Sequence, residues 1–163
     1  MPSDATAPSR VVFDCNIYAQ SLISPTGPAA ACMERVLHGE LELYWSDAVI
    51  DEVRKLTDHP EVSRTGVTPA RVSQLIQQLW DVALRIADPL SVFVHPIDVY
   101  DSRYVDLAVA ANAKLIVSRD KHLLNLTNPA KPWSKEFRRG FPEIEVLAPV
   151  DLLNRLRTKG GIS

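Results

Sequence analysis

The chain has 163 residues, 46% of them hydrophobic and 23% charged, which is enough for one sizeable core and gives no reason for a second domain. A formal net charge of −2 argues against broad, tight, non-specific nucleic-acid binding, although residues 131–163 carry a local excess, seven Lys/Arg against four Asp/Glu. The two cysteines lack metal-type spacing, the opening residues lack the basic and apolar regions of a signal peptide, and no apolar run approaches the ~20 residues of a membrane helix, so a soluble, cytoplasmic protein is expected.

In chain order, residues 1–9 read as a flexible arm and Arg10–Asp14 as a buried strand built on Val11, Val12 and Phe13. Ile17–Leu22 reads as a short helical turn, and Pro28–His38 as a helix with proline at its favoured first position. Leu41–Trp45 follows as the second strand. Ser46 suits the N-cap of a helix that carries Glu52 and ends near Asp58-His59-Pro60. Thr68-Pro69 supplies an N-cap and first-turn proline for a long helix to about Ala87, with Val72, Leu75, Ile76, Leu79, Ala83 and Ile86 as its apolar stripe. Ser91–Val94 is an additional candidate strand, Asp101–Asn112 a helix and Lys114–Ser118 a strand. Asn125–Pro142, with three prolines, Trp133 and several basic residues, reads as an exposed loop of the kind that carries function. Ile144–Leu147 is the last strand, Pro149–Leu156 the closing helix, and 158–163 a flexible tail. Strands alternating with helices imply right-handed parallel crossovers. The expected fold class is therefore α/β, a three-layer α/β/α sandwich with a central, mainly parallel sheet in one domain over residues 10–157.

Four acids stand where such a fold would bring them together. Asp14 and Asp120 each follow a short β-branched run, and in open parallel sheets ligands gather outside the carboxyl ends of strands. Glu52 lies between Ala48 and Leu56 at helical spacing, inside an apolar arc, whereas Asp51 shares its face with Arg54 and Lys55. Asp101 sits below Tyr104, Val105 and Ala108 on the buried side of its helix. Clustered carboxylates repel, so one or more would take up a proton unless a cation neutralised them. Oxygen-only ligands with no histidine or cysteine cluster nearby suit one or two Mg²⁺ or Mn²⁺ ions rather than Zn²⁺. Each acid alone has an ordinary reading: an N-cap or turn for Asp14, Asp101 and Asp120, and a buried ion pair for Glu52.

Five segments occur in order: Val-Val-Phe-Asp14-Cys-Asn16, Ser46-Asp-Ala-Val-Ile-Asp-Glu52, Asp98-Val-Tyr-Asp101-Ser-Arg-Tyr-Val-Asp-Leu-Ala108, Leu115-Ile-Val-Ser118-Arg-Asp120-Lys-His-Leu-Leu124, and Val146-Leu-Ala-Pro149-Val-Asp-Leu-Leu153. Together they resemble the PIN-domain family, in particular its branch of VapC-like ribonucleases, the toxins of toxin–antitoxin pairs. The resemblance implies a metal-dependent endoribonuclease in which Asp14, Glu52, Asp101 and Asp120 are catalytic metal ligands, with Asn16 and Ser118 as supporting polar groups. It also implies an RNA substrate, a small antitoxin protein as partner, and a homodimer. Cys15 stands where the family commonly has a hydroxyl residue, and His122 where it often has an acid.

Candidate substrate contacts are Arg119 and His122 beside the site, and Lys131, Trp133, Lys135, Arg138 and Arg139 in the irregular stretch, whose ordinary reading is a solvated loop. His38, His59, His95 and His122 lack ligand spacing and read as surface or turn residues. Asp98 reads as a loop residue before its helix. Two rival functions remain: a silent PIN-like binding module, and a nuclease acting on DNA or structured nucleic acid.

Overall fold

The computed structural model describes residues 7–160. β1 (Ser9–Phe13) leads into α1 (Cys15–Ile23) and α2 (Pro28–Leu37), and β2 (Leu41–Ser46) into α3 (Asp47–Arg54), α4 (Pro60–Ser63) and α5 (Pro69–Trp80). β3 (Leu84–Ile86) precedes α6 (Ser102–Ala111), β4 (Leu115–Val117) precedes α7 (Lys121–Leu124) and α8 (Ser134–Gly140), and β5 (Glu145–Leu147) precedes α9 (Pro149–Gly160). Single 3-10 turns form at Leu56–Asp58 and Val99–Asp101.

Among the described residues five strands form one all-parallel sheet, in the order β3-β2-β1-β4-β5. A central parallel strand is covered on both faces and needs apolar residues at successive positions. Val11, Val12 and Phe13 meet that need, each fully buried, with Val11 between Leu43 and Leu115. Each such apolar side chain contributes roughly 1.5–3 kcal/mol through burial. Right-handed crossovers send α1–α5 to one face and α6 to the other. Accordingly α6 packs across β1, β2, β3 and β4, while α1, α2, α3 and α9 form the opposite layer. The expected three-layer α/β/α sandwich is the fold observed.

Several elements differ from the sequence reading. The long helix stops at Trp80, not Ala87: the Val82 and Ala83 amides turn back to the Leu79 carbonyl, and Leu84–Ile86 pairs with Tyr44–Ser46 as an edge strand. The run from Val82 to Ile86 suits either period, and the open edge of β2 decides between them. Arg85 anchors the strand through a bidentate pair with Asp47, one arm at 2.9 Å. Ser91–Val94 forms no strand, because the Val92 and Phe93 amides donate to the Asp106 carboxylate at 2.8 and 3.1 Å. The supposed loop Asn125–Pro142 contains α8, with Phe137 buried and stacked edge-on against Phe93 at 5.3 Å. Ser9 already belongs to β1, and α9 runs beyond Leu156 to Gly160. Residues 1–6 and 161–163 of the expected arm and tail lie outside the described residues.

Candidate metal centre

β2 and β3 lie on one side of β1, and β4 and β5 on the other. The chain therefore leaves β1 and β4 in opposite directions, which opens a crevice beyond their carboxyl ends. Asp14 follows β1 directly, and Ser118 to Asp120 follow β4. The Asp14 amide donates to the Val117 carbonyl at 3.1 Å and closes the two strand ends together. Glu52 comes from α3, and Asp101 closes the 3-10 turn before α6. Asp14, Asn16, Glu52, Asp101 and Asp120 line one cleft of about 330 Å³. Its walls also include Cys15, His59, Glu61, Tyr100 and Tyr104.

Local sequence explains most of these placements. Asp14 N-caps α1, accepting the Ile17 amide at 3.2 Å, and Asp120 N-caps α7, accepting the His122 amide at 2.9 Å. Ser46 caps α3 through the Val49 amide at 3.2 Å and so sets the phase that turns Glu52 towards the cleft. Ser118 is fully buried; its hydroxyl donates to the Asp14 carboxylate and accepts the Asp120 amide at 2.9 Å. One hydroxyl thus fixes two acids from separate elements. Asn16 is exposed at the cleft wall.

Asp101 behaves differently from the other helix-start acids. It stands at the N-cap position of α6 yet makes no capping hydrogen bond, and its Oδ2 is buried without a partner. Helix capping, its ordinary reading, therefore does not account for this residue. A buried carboxylate oxygen with nothing to accept is costly. A cation at this position would satisfy it, and the oxygen-rich donor set of the cleft fits such an ion.

The electrostatics agree with that geometry. Burial raises the Asp14 pKa from 3.8 to about 6, against the lowering effect of its bonds from Ser118 and the Ile17 and Asn16 amides. Burial, then the neighbouring Asp120 and Asp98 carboxylates, push Asp101 up to about 7. Tyr100 is raised too, first by burial and then by its bond to Glu52. Without a cation the cleft holds protons near neutral pH that isolated carboxyls would have lost.

One histidine reading needs correction, and two neighbouring residues gain detail. His95 is 1% exposed rather than a surface residue. Its Nδ1 accepts the Ile97 and Asp98 amides at 3.0 and 3.1 Å, so Nε2 carries the proton donated to the His122 carbonyl at 2.8 Å. Asp98 caps the 3-10 turn through the Tyr100 amide, and it stands beside Asp101 and His122. His122, expected beside the site as a substrate contact, lies close enough to the acids to be a ligand candidate itself, since one ligand atom from each of these three residues lies within 4.8 Å of the others. The local sequence carries no ligand-spacing signal for this, because His122 and Asp98 meet across a fold crossing.

The remaining expected contacts stand apart from the cleft. Arg119 is exposed and lines a separate cavity with Gln20, Pro28 and Pro149. Lys131, Lys135, Arg138 and Arg139 are exposed but line none of the acidic cleft, and Arg138 donates to the Thr127 carbonyl at 2.8 Å. Trp133 is half-buried against the core, with its indole nitrogen buried and without a partner, rather than an exposed stacking surface. Tyr104 is a wall residue not singled out beforehand; its hydroxyl accepts the Cys15 amide at 3.2 Å. Its spacing from Asp101 on α6 was the available signal.

A parallel α/β sheet with carboxylates gathered at its switch point defines an α/β domain with an acidic, cation-attracting cleft. The family model described as PIN domain matches residues 10–122, well over half of the chain, and the protein belongs to the PIN domain family. No curated protein matches this chain. Among solved structures, it is similar to a chain of VapBC2 from Rickettsia felis, crystallised bound to a DNA fragment from its promoter, at 11% identity and a TM-score of 0.48. That alignment covers 85% of this chain and 98% of the other, a likeness too slight to bear on function. Among the described residues, no helix is long and apolar enough to cross a membrane.

Proposed function

We propose that the protein is a divalent-metal-dependent endoribonuclease that hydrolyses RNA phosphodiester bonds, and that it acts in the cytoplasm as the toxin of a toxin–antitoxin pair. The observation that carries this reading is the meeting of Asp14, Glu52, Asp101 and Asp120, from four separate segments, in one cleft. The sequence resemblance to VapC-like ribonucleases supplies the RNA and toxin parts of the reading.

In this reading the four carboxylates would hold one or two Mg²⁺ or Mn²⁺ ions, which would supply Lewis-acid chemistry for hydrolysis of the phosphodiester. Binding such an ion would displace any proton held on Asp14 or Asp101, whose carboxyls burial raises. Ser118 keeps the Asp14 carboxylate oriented, and Asn16 offers an exposed amide to substrate at the cleft wall. His122, two residues after Asp120, offers a hydrogen-bonding group beside the cleft, whereas Arg119 would meet only substrate that extends into the neighbouring cavity. Lys131, Lys135, Arg138 and Arg139 contribute at most a long-range basic field, and Trp133, packed against the core, adds no charge to it.

The reading includes a protein partner. Trp80, Leu84, Leu90, Val94, Ile97 and Val99 are exposed along one stretch of chain, Leu90 to 81%. In this reading a small antitoxin or a second copy of the chain would cover part of this segment.

The test is cleavage of a mixed RNA pool with Mg²⁺, Mn²⁺ or EDTA, with wild type run beside Asp14→Asn and a matched DNA pool in parallel. Metal-dependent RNA cutting that disappears in the variant supports the proposal. Cutting of DNA alone would replace RNA as substrate. No cutting by either protein, with Mn²⁺ binding shown separately, would make the domain a silent binding module.

A further inference from the structure

Beside the four-acid cleft lies a second group of donors with different chemistry. Asp98 and Asp101 project from one 3-10 turn and His122 from the first turn of α7, and their ligand atoms lie within 4.8 Å of one another. Asp101 is 6% exposed and its Oδ2 is buried with no donor to accept from, the carboxyl lying against Asp120 as well as Asp98. Asp98 gives one oxygen to the Tyr100 amide and keeps the other. The nearest anion to the His122 ring outside the trio, Asp120, is 4.0 Å away.

The backbone beneath the trio is rigidly built. His95 bonds the Asp98 amide through Nδ1 and the His122 carbonyl through Nε2, so one buried ring ties together the two segments that present the donors. Ser102 accepts the His95 amide at 2.7 Å and holds the ring's own segment against α6. Outer-shell partners of this kind orient metal ligands.

We infer that Asp98, Asp101 and His122 form a mixed carboxylate–imidazole site for a transition-metal dication, Mn²⁺ or Zn²⁺ in preference to Mg²⁺. An imidazole donor suits later transition ions, whereas Mg²⁺ takes oxygen ligands and dehydrates reluctantly. The site shares Asp101 with the nuclease reading, but its occupation does not depend on turnover.

The test uses Mn²⁺ alone on the full, metal-stripped chain, without RNA. Equilibrium titration gives affinity, and pulsed electron paramagnetic resonance at substoichiometric Mn²⁺ reads nitrogen coupling. Wild type shows nitrogen coupling that tenfold excess Mg²⁺ does not remove; His122→Asp loses it, Glu52→Gln and His59→Ala retain it, and Asp98→Asn weakens Mn²⁺ binding by about 10-fold or more. Thermal melts identify any variant that fails to fold, and the aspartate variant guards against that outcome by restoring an oxygen donor. Mn²⁺ binding without nitrogen coupling, or coupling that survives in His122→Asp, overturns the trio and leaves the four-acid site standing. Coupling as expected in a protein that cleaves nothing supports the trio and removes the nuclease reading.

Discussion

The acidic cleft and the segment from Asn125 to Pro142 solve opposite problems. In the cleft, Asp14 and Asp101 are 3% and 6% exposed, and burial holds their carboxyls well above the ordinary range. In the segment the charges point to water while Phe137 is buried beneath them, beside Phe93 and Phe141. The second arrangement is what hydrophobic burial alone produces. The first opposes stability, because charge removed from water must be compensated. An expense of this kind is the physical mark of a functional site.

The strongest test of that contrast is catalytic. Asp101→Ala should reduce metal-dependent RNA cleavage by at least about 100-fold in a single-turnover assay, with the fold intact by circular dichroism. Full activity in this variant would mean that the cleft is not the reaction centre. On the other side, Phe137→Ala should destabilise the domain by about 3–5 kcal/mol in urea unfolding, through lost burial and a cavity. Mn²⁺ affinity at the cleft should not change. A Phe137→Ala protein that melted like wild type would show that α8 is an appendage after all.

The third prediction concerns pH. The folded-state pKa of Asp14 and of Asp101 is raised, so the folded chain binds more protons than the unfolded one between pH 3.8 and about 6 or 7. Their contribution is fully present below pH 3.8 and is lost as pH rises through that window. For Asp14 the loss amounts to about 3 kcal/mol. The metal-free melting temperature should include a falling contribution from pH 4 to pH 7, which Asp101→Asn reduces and Mn²⁺ at pH 7.5 reverses. A melting profile identical in wild type and Asp101→Asn would remove the stored charge cost from the argument.

The smallest effect is expected from the segment's charges. Replacing Lys135 and Arg139 together by Ala should change cleavage by less than about threefold at 0.15 M salt, because exposed charges distant from the reaction are screened. A loss of 100-fold would instead place RNA on α8.

Much of this was legible locally. The Val11-Val12-Phe13 run, the Ser46 and Thr68 caps and the Pro28 and Pro69 starts each act within a few residues, and the chain folds there as read. The Val82–Ile86 run was ambiguous because its apolar residues satisfy helical and strand periods alike; the free edge of β2 resolved it. Phe137 looked like part of a loop because the partner that buries it, Phe93, is far away in sequence. His95 read as a surface or turn residue; it does hold the turn at Ile97 and Asp98, but its burial was hidden because its bond to His122 crosses from one segment to another.

The positions of the four acids follow from short-range rules: an acid after a β-branched strand, an acid on the inner arc of a helix. The amino-acid sequence is therefore sufficient to say which carboxylates turn inward. How they relate to one another is a long-range matter. The order of strands around β1 sets the crevice, Ser118 couples Asp14 to Asp120, and the leftover oxygen of Asp101 comes into being when α6 begins without using it. Periodicity and capping act over single turns, whereas burial, unmet hydrogen bonds and raised pKa values arise once distant segments exclude water together.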